Sequence, residues 1–188
     1  LDNAIKRMDA LVVLTERDAE KWKKIKKATV IPNSLPFYPE ASSTCETKKI
    51  ISVGRLDEQK GYDMLIDAWE TVHKQHPDWK IIIYGNGELH DILKYAIIQK
   101  HLEDSFILHE PVKDIMNQYL DSSIYVMSSR FEGFGMVLAE AMACGVPCIS
   151  FDCPYGPSDI IKDFVDGLMV ENGNVVQLAQ KISELIEQ

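Results

Sequence analysis

The chain has 188 residues, a formal charge of −9 and 46% hydrophobic content, which suits one domain plus a fragment of another built on a sizeable core. The acidic balance excludes a nucleic-acid binder working through a basic face, and no stretch approaches the ~20 apolar residues of a membrane span. The cysteines Cys45, Cys144, Cys148 and Cys153 form no Cys-x-x-Cys pair and the histidines do not cluster, so no zinc site is expected.

In chain order, the start at Leu1 lacks an initiator Met and a signal-peptide pattern, as expected of a piece of something longer. Residues 10–14 read as a strand, with Thr15 as N-cap of a helix running to about Lys26. The basic run from Lys21 to Lys27 reads as a solvated helix face with Trp22 and Ile25 turned inward; contact with an anionic membrane or acceptor is the alternative. Val30-Ile31-Pro32-Asn33 then breaks regular structure, and residues 39–47 read as a polar linker. Apolar, β-branched runs follow at 50–53, 81–84, 106–108, 124–127, 148–151 and 168–170. Helical stretches alternate with them at 61–76, 88–100, 112–120, 135–144, 156–162 and 174–187. This alternation predicts an α/β fold, a Rossmann-like doubly wound sheet of six parallel strands. The expected division is 1–35, the end of one domain and its linker, and 36–188, a second domain. Glycine loops after the strands, at Gly54, Gly85 and Gly133, fall at carboxyl ends, where such sheets bind ligands.

Glu140 stands out, because the run from Met136 to Cys144 reads as a helix apolar on nearly every side and buried on most of its surface. A lone carboxylate there is costly without a hydrogen-bonding partner. Glu132 precedes the same helix in Glu132-Gly133-Phe134-Gly135, a glycine loop whose run into a helix N-terminus offers free N–H groups to an anion. An anion cradle with a carboxylate on each side suits a nucleotide sugar. The plainer alternative is a solvated loop residue and a cap for a neighbouring element. Arg55 and Lys60, flanked by Gly54 and Gly61 after an apolar strand, are two cations suited to phosphate. No Asp-x-Asp pair occurs. The five histidines, and Ser128 and Ser129, read as structural or solvated.

The spacing of Glu132 and Glu140, followed by Ala141-Met142-Ala143-Cys144-Gly145-Val146-Pro147, resembles the signature of the retaining glycosyltransferases of family four, or group 1. Ser52-Val53-Gly54-Arg55-Leu56-Asp57-Glu58-Gln59-Lys60-Gly61 resembles that family's diphosphate loop; Tyr84-Gly85-Asn86-Gly87 and Val30-Ile31-Pro32-Asn33 add further matches in order. The resemblance implies a GT-B fold represented mainly by its donor-binding domain, preceded by the last βα unit of an acceptor domain. Glu132 would approach the donor sugar and Glu140 the ribose. Arg55 and Lys60 would stabilise the leaving diphosphate in place of a metal, with no cofactor. Gly54, Gly133 and the backbone of Phe134, Gly135, Met136, Val137 and Leu138 would line the phosphates and sugar. Gly85 and Val112 would lie near the base, with UDP favoured. Here the chain departs from the family, with Glu110 where a glycine is common two residues before Val112. The implied partners are a nucleotide sugar and a glycan or lipid-linked acceptor held by an upstream domain, in the cytoplasm or at the inner face of the membrane. A nucleotide-sugar 2-epimerase and a non-catalytic binding module are the competing readings. Whether Glu132 orients sugar hydroxyls or acts as a nucleophile stays open.

Overall fold

The computed structural model describes residues 2–188. A short helix α1 (Asp2–Lys6) leads to β1 (Leu11–Val13) and α2 (Glu16–Trp22), whose N-cap Thr15 accepts a hydrogen bond from Asp18 N at 3.1 Å. The helix stops at Trp22 and not near Lys26: residues 23–25 close as a turn, with Ile25 N–H and Lys26 N–H both donating to the Trp22 carbonyl at 2.7 and 2.8 Å. The chain instead forms β2 (Ala28–Val30), which pairs in parallel with β1, Leu11 opposite Ala28. The sequence pattern gave no sign of this strand. Trp22 and Ile25 are half-buried beside mostly exposed lysines, and residues 31–48 contain neither helix nor strand.

The main sheet holds β3 (Lys49–Val53), β4 (Lys80–Tyr84), β5 (Phe106–His109), β6 (Ile124–Met127), β7 (Cys148–Phe151) and β8 (Gly167–Val170). All pairings are parallel, in the order β5-β4-β3-β6-β7-β8. Alternate residues of each strand feed two cores. Ile50, Ile81, Ile83 and Val126 pack with Trp69, Leu65 and Ile182 on one face, whereas Ile51, Tyr84, Tyr125 and Met127 pack with Tyr119, Leu138 and Cys148 on the other. Helices α3 (Tyr62–Gln75), α4 (His90–Gln99) and α8 (Val175–Ile186) cover the first face. The second is covered by α5 (Ile115–Leu120), α6 (Met136–Ala143) and α7 (Pro157–Ile160).

Two helices are shorter than the sequence pattern predicts. α5 starts at Ile115 because Asp114 caps it, accepting from Asn117 N at 3.3 Å, which leaves residues 111–113 in the preceding loop. α7 ends at Ile160, where Ile161 turns extended. The predicted burial of α6 also needs correction: only Leu138 and Ala141 are buried, because the sheet covers one flank of the helix and its remaining residues are half-exposed. Chain order reverses between β3 and β6, which is the switch point where this architecture opens a crevice.

Candidate functional site

The loops leaving β3 and β6 border that crevice. After β3, a 3₁₀ turn at Glu58–Lys60 is capped by Asp57, whose side chain accepts from Lys60 N at 3.2 Å. The β6 loop is joined to this turn at several points. Ser128 Oγ donates to the Lys60 carbonyl at 2.9 Å, Arg130 N–H to the Gln59 carbonyl at 2.8 Å, and Gln59 Nε2 to the Phe131 carbonyl at 3.0 Å. Arg130 also donates to the Glu58 carbonyl and forks onto both oxygens of Asp63 at 2.8 and 2.6 Å. That fork draws the Asp63 carboxyl below its ordinary range.

Lys60 and Glu132, 72 residues apart in sequence, meet here. Lys60 Nζ lies 2.6 Å from Glu132 Oε1, with side chains only 14% and 7% exposed, and Ser129 Oγ donates to the same oxygen at 2.6 Å. Arg55, the other expected phosphate cation, stands apart. Its side chain is 71% exposed and bonded to Asp57 and Gln59 at 3.0 and 3.2 Å. The two cations therefore sit differently in one loop: Lys60 buried and paired with Glu132, Arg55 exposed and held by Asp57 and Gln59.

Gly54 and Gly85 bring two loops into backbone contact. Gly54 N–H donates to the Tyr84 carbonyl at 3.1 Å, and Gly85 N–H to the His109 carbonyl at 2.9 Å. A Cβ on Gly85 would overlap the carbonyl oxygen of Gly54, so only glycine allows this approach. Val112, half-buried against the second core, follows β5 beyond this contact.

Gly135, at φ 90° in the left-handed region, opens α6 with no side-chain cap. The N-terminal N–H groups of α6 are thereby left for an external acceptor. Leu138 N–H is already bonded to the Gly135 carbonyl at 2.9 Å, and its side chain is fully buried, so the expected cradle of Gly133, Phe134, Gly135, Met136 and Val137 ends one residue early. Farther along α6, Tyr119 Oη donates to Glu140 Oε2 at 3.1 Å. Burial pushes the Glu140 carboxyl above its ordinary range, and the Tyr119 bond only partly opposes this. Burial, then the Glu140 charge, raises the Tyr119 phenol.

The loop after β7 closes the side of the site. The Pro154 carbonyl accepts from Glu132 N–H at 3.1 Å. The same loop meets α2: Lys21 Nζ sits 2.9 Å from the Tyr155 ring centroid, and Arg17 bonds Ser158. Among the described residues, no three His, Cys, Asp or Glu side chains gather as a metal site.

Residues 39–188 match the family described as Glycosyl transferases group 1. The chain belongs to that family. Group 1 relatives include the amylovoran biosynthesis glycosyltransferase AmsD of Erwinia amylovora, 36% identical over 95% of this chain and 52% of AmsD. The poly(ribitol-phosphate) alpha-N-acetylglucosaminyltransferase of Staphylococcus aureus is 32% identical over 99% of this chain and 38% of its own length. The chain thus spans about half, or less, of these relatives. Among solved structures, a variant of S. aureus TarM in complex with Fondaparinux, alpha-GlcNAc-glycerol and UDP superposes with a TM-score of 0.90 at 30% identity, covering 100% of this chain and 38% of TarM. The pneumococcal O-GlcNAc transferase GtfA in complex with UDP and GlcNAc gives 0.87 at 28%, covering 99% of this chain and 40% of GtfA. The fold is thus the Rossmann-like α/β half of the GT-B architecture.

Within this group 1 chain, three side chains that shape the site carry no role in the sequence pattern: Ser129, Tyr119 and Arg130. Ser128 and Ser129, read as structural or solvated, are each only 1% exposed. Two buried hydroxyls at the end of an apolar strand were the available signal, since such groups demand partners.

Proposed function

We propose that this chain is the nucleotide-sugar-binding part of a retaining glycosyltransferase, transferring a hexosyl-type sugar to a glycan or lipid-linked acceptor. The observation that carries the reading is the Lys60–Glu132 pair at 2.6 Å, lying beside the uncapped N-terminus of α6. Lys60, Arg55 and the α6 N–H groups offer fixed positive charge to a departing diphosphate, where charge builds in the transition state. Glu132 supplies an acceptor for sugar hydroxyls and Glu140 one for the ribose diol. Donation from fixed cations makes metal-free binding the expectation, with no cofactor.

UDP is the favoured nucleotide, supported by the UDP-bound TarM and GtfA structures. Residues 1–35 fit the end of an acceptor domain and residues 36–188 the donor domain. On this reading the acceptor is held by a preceding domain and transfer occurs between the two, at the cytoplasmic side or against the inner face of the membrane. Among the described residues, no helix is long and apolar enough to cross a membrane. The test is calorimetric titration of UDP, GDP and ADP, and their sugar derivatives, into the chain. Tightest binding of UDP is expected; no binding of any nucleoside diphosphate would overturn the reading.

A further inference from the structure

We infer that Ser129 is a positioning residue that holds Glu132 in place for the donor sugar, an inference resting on the donor-site reading and extending it. Two donors converge on one carboxylate oxygen, Lys60 Nζ and Ser129 Oγ each at 2.6 Å from Oε1. Oε2 carries neither bond and is the oxygen left to accept from a sugar hydroxyl. The two holders differ in what a ligand does to them. The Lys60 ammonium is a point charge that an arriving diphosphate draws toward itself, weakening its tie to Glu132. Ser129 is neutral, 1% exposed and out of reach of that competition.

Ser129 is also mounted rigidly. It follows β6, whose four residues are all buried. Its neighbours fasten the strand end to the Lys60 turn, Ser128 through the Lys60 carbonyl and Arg130 through Gln59, Glu58 and Asp63. The hydroxyl is thus a fixed point against which the carboxylate is aimed, and it keeps the aim when Lys60 turns to phosphate.

The test measures the sugar increment, the affinity for UDP-glucose or UDP-N-acetylglucosamine divided by that for UDP, in a double-mutant cycle. Ser129→Ala is expected to cut the increment about tenfold, the scale of one hydrogen bond to a charged group, while UDP affinity changes by less than about threefold. In a Glu132→Ala background, Ser129→Ala is expected to change nothing further. Ser129→Thr and Ser129→Val share one shape, so any strain from the added methyl is common to both; only Thr is expected to keep the increment. Equal losses for UDP and UDP-sugar, an undiminished effect without Glu132, or equal behaviour of Thr and Val would each overturn the inference in favour of a purely structural serine. A wild-type chain that binds UDP but gains nothing from either sugar overturns it too. A wild-type chain that does not bind UDP overturns the donor-site reading itself.

Discussion

The Tyr119 hydroxyl donates to Oε2 of Glu140 at 3.1 Å, joining α5 to α6 across 21 positions of sequence. Burial raises this carboxyl, so Glu140 takes up a proton at milder acidity than an exposed glutamate. Nucleotide binding that needs the ionised form is expected to weaken as pH falls through that raised value, whereas pyrophosphate binding is not. Stability runs the other way. The folded state favours the neutral acid, so the penalty of the buried charge is present above the folded pKa and is relieved as pH falls toward the unfolded value. Glu140→Ala is expected to cost ~1.5–3 kcal/mol in nucleotide affinity with little change for pyrophosphate. Titrations at several pH values, with melts of both apo proteins, check this; equal losses for both ligands would assign Glu140 to the fold alone.

Breaking the Lys60–Glu132 pair on one side leaves a charge in a site where the two side chains are 14% and 7% exposed. Lys60→Met is expected to destabilise by ~3–5 kcal/mol, and Lys60→Met combined with Glu132→Gln to recover much of that loss. Diphosphate binding should fail in both. Urea unfolding and calorimetry read the two effects separately, and a double variant no more stable than the single one would contradict the pairing argument.

Two glycines should part company. Gly85→Ala forces the Gly54 backbone away and is expected to cost ~1–3 kcal/mol and to weaken nucleotide binding. At Gly133 an added Cβ meets nothing within 4 Å, so Gly133→Ala is expected to stay within ~0.5 kcal/mol of wild type. Thermal melts of the two variants decide.

Nucleoside diphosphate binding is expected to survive excess chelator, because Lys60, Arg55 and the α6 N-terminus supply the positive charge. Binding recovered only on adding magnesium or manganese would overturn metal independence.

The main sheet was legible because each strand is a short apolar run, four or five residues long in the structure, and the glycine loops follow directly from it. The residues singled out at Gly54, Lys60 and Glu132 lie on the loops leaving β3 and β6 for the same reason: adjacent strand ends bring their loops together, and Lys60 meets Glu132 there. What stayed hidden depends on partners remote in sequence. Nothing local marks Tyr119 as the partner of Glu140, Ser128 as the holder of the Lys60 carbonyl, or Arg130 as the partner of Asp63. β2 escaped because its three residues follow a proline-free lysine run that reads as continuing helix, and only the edge offered by β1 makes it a strand.

The backbone contact between Gly54 and Gly85 also limits how this crevice can diversify. Neither position admits a side chain without shifting a neighbour, so the bottom of the crevice is the same bare peptide surface whatever else changes. On the donor-site reading, preference for one base over another is then set at the margins, by residues such as the exposed Glu110 in the loop after β5. A programme to redirect this protein to a different nucleotide should randomise that margin and leave the two glycines untouched.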